Sequence, residues 1–448
     1  MIRSHSARLA GVVAGLAALS LVAAACSSSS SGGSTSGGSS KLTASAPGIT
    51  ATTITIGSHQ PLTGIAAPGY DEIAPSSNAY FQYVNAHGGI YGRKIVYKYL
   101  NDQYNPTITA TDVHQLILQD GVYAIFNGLG TPTHLAVAPF INSEHVPDVF
   151  VASGCECWNA PSTLPDTFGW QLDYIREGKI LGAYIAQHFK GKKIGYFYQD
   201  DEFGQDGIKG LNYEIPKSQV VAEESYDPTN TKIAPQVAAL KAKGAQVVVS
   251  FSVPAFTALL KLTMLGLKYN PQLVVSDVGS DAITLAGLLA EFAKNKTAGF
   301  GNSLTQGIIT DGYLPSLGDT SNSWIALFHK IYEQYLVKKK FPFDGNVLYG
   351  LAVGYTFVQA MFKAGRNPTR QDLINAVNAG IPQASAVAPF AYSATDHNGI
   401  TGAYIGIIKN GALVQTTPVY VTDDTPTGAI TTYSSPQPTA PKSGIPSP

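Results

Sequence analysis

One stretch, residues 53–103, constrains the fold of this chain more than any other. It opens with an apolar alternation, Ile54 and Ile56, and breaks into the loop Gln60-Pro61-Leu62-Thr63-Gly64. Ile73, Tyr80, Tyr83 and Val84 then share a helical face, and the pattern stops at His87-Gly88-Gly89. The chain turns through Tyr91-Gly92-Arg93-Lys94 into a second apolar run at 95–100, which exits at Asn101-Asp102-Gln103. Strand, helix and strand in this order form the βαβ unit of a parallel sheet. Ligands bind such sheets just beyond the carboxyl ends of the strands. The loop 60–70 lies at such an end, so it is expected to line a site and to contribute Gly69 and Tyr70.

The unit repeats. Val113, Leu116 and Ile117 give a helical face stopped by Gly121, and residues 122–126 form the next strand. A loop at 127–133 leads into a helix through Leu135, Val137 and Phe140, then a strand at 149–151. The first series thus holds about four strands. A second begins after Trp170, with a helix at 177–189 and strands near 194–198, 220–222, 247–251 and 273–275. Two such series predict an α/β chain of two Rossmann-like lobes.

Beyond Gly301 a strand is expected at 306–310, and Trp324, Phe328, Ile331 and Tyr335 repeat on a helical face. A helix at 346–362 follows, and Thr369 with Asp372 has capping-box spacing. A hairpin is expected to turn at Asn410-Gly411. The tail 423–448, rich in Pro, Thr and Ser, is expected to be disordered.

Length and charge narrow the function. The 448 residues suffice for two domains with full cores. Charged residues make up 13% and the net charge is −1, so no electrostatic footprint for nucleic acid is visible. No nucleophile elbow, P-loop, His-Glu-x-x-His or dinucleotide Gly-x-Gly-x-x-Gly follows a strand, so the chain reads as a non-enzyme without cofactor. Tyrosine is abundant, at 24 residues. About one in five is expected to line an aromatic cleft.

The amino terminus reads as a targeting segment. Arg3 and Arg8 precede an apolar run that ends at Ala23-Ala24-Ala25-Cys26. That ending resembles a bacterial lipobox, which makes residues 1–25 a lipoprotein signal and Cys26 the lipidated residue on the outer face of the cell membrane. An ordinary secretory signal is the alternative. Residues 26–50, rich in Ser and Gly, read as a tether that would hold the globular part roughly 25 Å from the membrane. Cys155 and Cys157 are read as a strained local disulfide or two unpaired thiols, and two thiolates alone cannot fill a zinc shell.

Pro61-Leu62-Thr63-Gly64, the run from Asn85 through Gly88-Gly89 to Lys94, and Asn101-Asp102-Gln103 together resemble the opening of the type I periplasmic solute-binding proteins. The likeness is greatest to those serving branched-chain amino acid ABC transporters. The resemblance extends over 53–421. It implies three hinge crossovers, with lobe 1 formed by 51–172 and 310–388 and lobe 2 by 173–309 and 389–422. It also implies a small solute, an amino acid, amide or carboxylic acid, trapped between the lobes of a monomer and passed to an ABC permease. A sensory module signalling to a membrane partner is the rival reading, and a secreted hydrolase a more distant one.

The resemblance places Gly130 and Thr131 at a carboxylate-binding loop, where backbone N–H groups at a helix start favour an anion in any case. Thr131 as a simple helix cap is the alternative. Ser153 and Gly154 match a second ligand loop, and Phe203 matches a ring lying over the solute. Asp277 falls where relatives face an ammonium group, with a helix cap or loop turn as the other reading. Phe251, Ser252 and Tyr349 complete the expected contacts.

Overall fold

Strand β1, Thr53–Gln60, lies next to the edge of the first lobe's sheet and pairs in step with β2, Lys94–Asn101, from Thr53 against Lys94 to Gln60 against Asn101. β3 (Ile125–Phe126), β4 (Asp148–Val151) and β5 (Thr167–Gly169) complete a parallel sheet in the order β2-β1-β3-β4-β5. The sheet has five strands rather than about four. β5 is only Thr-Phe-Gly, too short to show any periodicity. The structure, a computed structural model, describes residues 41–447. The signal segment and Cys26 lie outside the described residues, and Leu42–Pro448 forms one unit.

The second lobe is built on β6 (Ile194–Gln199), β7 (Val220–Tyr226), β8 (Val247–Phe251), β9 (Gln272–Val275) and β10 (Ile309–Gly312), all parallel. β11 (Gly402–Lys409) runs antiparallel to β10. It turns at Asn410 and Gly411, both with positive φ, into β12 (Ala412–Gln415). β13 (Val419–Val421) and β14 (Thr431–Tyr433) extend the edge beyond β11. The capping box at Thr369 and Asp372 is present.

Three crossovers join the lobes. The chain leaves β5 at Trp170, leaves β10 at Tyr313, and returns to β11 through 389–401. These strands touch: Ile400 N–H donates to the Trp170 carbonyl (3.0 Å) and Val387 N–H to that of Tyr313 (3.0 Å). Gly399 is required here, because a methyl group on its Cα would overlap the Trp170 carbonyl.

Between the second and third crossovers the chain is back on the first lobe. Helix Gly345–Ala364 lies against helix Ile73–Ala86. By length and composition Gly345–Ala364 could span a membrane, but 83% of its apolar window is buried, as in a core helix.

Two expectations need correction. The carboxyl-terminal tail is ordered. Buried Lys179 binds the carbonyls of Asp423, Thr425 and Gly428, and β14 pairs with β13. The chain then crosses to the first lobe, where its carbonyls accept from Trp324 Nε1 (Pro438), Tyr83 (Ser443) and Tyr80 (Gly444). Hydroxyl and indole donors of the body satisfy a backbone that forms no long ladder of its own, which composition cannot disclose.

The tether is also shorter than 26–50. Buried Arg93 donates to the carbonyls of Thr43, Thr50 and Arg366, which fixes residues 43–50 onto the body.

Candidate functional site

The carboxyl end of β3 supplies one wall. Gly130 has φ 102°, and the short helix Thr131–Leu135 starts immediately after it. Leu129, Gly130 and Ala152 face the interlobe space. The Thr131 and Ser153 hydroxyls lie behind them, 2.7 Å apart and each 1% exposed, so they bond to one another. Gly154 is also behind the wall, its carbonyl accepting from Tyr174 N–H (2.7 Å).

Below this loop runs a buried relay. His59 Nε2 and His134 Nδ1 are 2.9 Å apart, and each outer nitrogen lies 2.8 Å from a carboxylate oxygen, of Asp102 and Asp148 respectively. All four side chains are wholly buried. Burial pulls the His59 proton affinity down, and the Asp102 carboxylate opposes that shift. Gly128 lies directly above both rings, so the relay sets the height of the wall.

The opposite wall is acidic. Asp277 opens the 3₁₀ turn Asp277–Gly279 after β9, and its N–H donates to Glu177 Oε1 (2.8 Å) and Asp311 Oδ1 (3.0 Å). Glu177 is 2% exposed and Asp311 fully buried, whereas Asp277 is partly open to the cavity. Burial, the Asp311 charge and Asp281 raise the Asp277 carboxyl well above the carboxylate range. Burial pushes Glu177 up to about 7, and burial with the Glu177 charge raises Asp311 too.

Tyrosines close the space. Tyr70 OH crosses from the first lobe to the Val278 carbonyl of the second (2.8 Å). Gln199 Nε2 donates to Tyr104 OH (3.2 Å) across the same gap, and Tyr226 OH donates to Gln199 Oε1 (3.1 Å). Tyr349 OH lies 3.4 Å from Gln171 Oε1. At the rim, Gly345 N–H donates to Asp281 Oδ2 (2.9 Å) and Thr284 Oγ1 to Asp344 Oδ2 (3.1 Å). The lobes are therefore shut around a cavity of about 950 Å³.

Of the residues expected from sequence, Tyr70, Gly130, Asp277 and Tyr349 line this cavity. Gly69 sits beside Asn346 and Thr284 at the rim. Phe203 and Phe251 lie one layer back. Phe203 packs against the lining Tyr174 (4.6 Å between ring centres) and against Phe251 (5.9 Å). Ser252 is buried, its hydroxyl bonded to Ser250 and Thr257. Gln171, Tyr174 and Tyr313 line the cavity without having been singled out. They sit at the crossovers; the high tyrosine count hinted at the two tyrosines, and nothing in the sequence marked Gln171. Among the described residues no group of three His, Cys, Asp or Glu could hold a metal.

A family model described as periplasmic binding protein matches residues 53–412. A Leu/Ile/Val-binding protein homolog 3 from Brucella melitensis is 23% identical over 352 residues, 76% of this chain and 88% of the relative. The fold is shared with solved structures of low identity. One, from Rhodopirellula baltica, is described as a possible leucine/isoleucine/valine-binding protein (TM-score 0.71, 19% identity, 82% of this chain and 96% of that one). A fatty acid ABC transporter substrate-binding protein from Thermomonospora curvata has TM-score 0.70 and 22% identity over 83% and 93%. A branched chain amino acid ABC transporter from Thermus thermophilus, with bound valine, has TM-score 0.69 and 17% identity over 83% and 97%.

Proposed function

The chain belongs to the periplasmic binding protein family, and from that premise we propose that it is the extracytoplasmic receptor of an ABC importer. It captures an amino acid or a related small carboxylate or amide by closing its lobes, and it delivers that solute to a membrane permease. The family binds solutes and is not enzymatic. The reading includes export, a lipid anchor at Cys26 and a monomeric receptor. Relatives named for leucine, isoleucine and valine, and the Thermus structure holding valine, support an amino-acid-like ligand.

The observation that carries this reading is a cavity whose two walls come from different lobes and are joined by hydrogen bonds across the gap. A solute touching both walls adds its interactions to the closed form only, so it shifts the population toward closure. A micromolar solute needs a net of about −8 kcal/mol. One charged contact, several hydrogen bonds and buried apolar groups reach that figure. In this reading Asp277 takes the ammonium, Gly130 presents backbone to the carboxyl end, and Tyr70 and Tyr349 frame the solute.

Calorimetry of the purified protein against amino acids, amides and aromatic acids, paired with solution scattering, tests it. Binding should come with a smaller radius of gyration. Superimposable profiles with and without saturating solute would refute closure. An α-amino acid that binds Asp277→Ala as tightly as the parent would remove the ammonium assignment.

A further inference from the structure

We propose that the solute is a primary amine with an extended apolar body, larger than a branched-chain amino acid, whose ammonium sits at Asp277 and whose body runs outward between helices Ala282–Phe292 and Ser323–Tyr335. This rests on the reading above that the two lobes enclose a small solute, and it makes an amine, rather than a carboxylate or amide, the group that the site holds.

Size comes first. A cavity of about 950 Å³ lies at the upper end of the roughly 300–1,000 Å³ that encloses drug-sized ligands. A valine held at Asp277 would leave most of it filled with water against apolar walls. The space does not end at the tyrosines. It continues past Ala282 and Ile283 on one side and Leu314, Ile325 and Phe343 on the other. Leu314 and Ile325 are buried side chains that turn apolar surface toward this channel. An apolar body of the solute would cover that surface, which a short side chain could not reach.

Charge comes second. Asp277, Glu177 and Asp311 gather three carboxyl groups at the inner end, with Glu177 and Asp311 in side-chain contact. Lys330 is the one Lys or Arg among the described lining residues, and it lies on the outer helix in the same turn as the lining Glu333. An anionic head at the inner end would meet no counter-charge. An ammonium there gains the Asp277 carboxylate, among the lining Tyr70, Tyr313 and Tyr349. The raised proton affinity of Asp277 agrees with a site waiting for a cation: the carboxyl holds a proton until an ammonium displaces it.

The test is calorimetry of the purified full-length protein with four probes: octylamine, octanoate, butylamine and valine. Octylamine should bind at least tenfold more tightly than each of the others. Octanoate binding as well as octylamine would overturn the charge assignment. Butylamine or valine binding as well would overturn the extended body. Ala326, exposed on the outer helix, lines the far half of the channel. In Ala326→Trp the octylamine-to-butylamine affinity ratio should fall at least tenfold, and an unchanged ratio would refute the path. If none of the four binds while another solute closes the lobes in scattering, this inference fails and the solute-binding reading stands. If no solute closes the lobes, both fail.

Discussion

Glu177 shows how much of the site depends on groups that never touch solute. It is buried, receives the Asp277 N–H, and titrates at about 7 because burial disfavours its charge. A carboxyl whose proton affinity is raised in the folded state stabilises that state fully below its unfolded pKa. The contribution is lost as pH rises through the folded value. The window here runs from about 4.5 to about 7. Glu177→Gln keeps the acceptor for Asp277 N–H and removes the titration. It should leave the melting temperature nearly unchanged at pH 4.5 and raise it at pH 8, by an amount corresponding to roughly 3 kcal/mol. Thermal unfolding at the two pH values decides this, and an equal effect at both would mean that Glu177 is not the titrating group.

The His59–His134 pair makes a second residue-scale case. His59→Leu strands His134 Nδ1, at a cost of ~1–3 kcal/mol, and takes one charge-assisted partner from Asp102 Oδ2, which keeps the Thr109 hydroxyl. A loss of about 3 kcal/mol is expected in urea unfolding. A loss under 1 kcal/mol would mean water enters the relay. Asp277 came to notice through its likeness to an acid of the resembled family, and it lines the cavity. Tyr174, Tyr313 and Gln171 were not, because a lone aromatic or amide beside a crossover has no spacing that marks it.

At the scale of elements, local chemistry was readable wherever it closes within a few residues. The Thr369 capping box and the Asn410-Gly411 turn are such cases. β5 escaped notice because three residues carry no period, and its pairing depends on β4, where Thr167 is partnered by Asp148, 19 positions earlier. The loop closed by the Cys155–Cys157 disulfide belongs to this scale as well. Its middle residue, Glu156, sends its N–H across the gap to Asp206 Oδ2 on helix Glu202–Glu214 (2.8 Å). The disulfide therefore fixes a first-lobe donor that bonds the second lobe in this shut form. A hydrogen bond to a charged acceptor is worth ~1.5 kcal/mol, so solute affinity should fall about tenfold when both cysteines are replaced by serine. Calorimetry of that double variant checks it, and an unchanged Kd would separate the loop from closure.

For the whole molecule, two series of βαβ units announced two lobes, and the observed sheets follow them. What composition misjudged was the tail, because Pro, Thr and Ser forecast disorder only when nothing nearby offers donors. Here Lys179 in the second lobe and Trp324, Tyr80 and Tyr83 in the first all donate to it. The tail is a fourth link between the lobes, beside the three crossovers. Removing 429–448 should widen the solute-free form in scattering and weaken solute binding at least threefold, since the closed state loses a connection that limits opening. An identical scattering profile would show that the tail does not restrain the lobes.

That tail also orders events in time. Helix Ile73–Ala86 leaves the ribosome early, yet Tyr80 and Tyr83 find their acceptors only in Gly444 and Ser443, more than 350 residues later. Contacts so distant along the chain form slowly and late. The two hydroxyl ties of this helix therefore close after the rest of the first lobe has packed, since residues through Gly444 must be made before they can form.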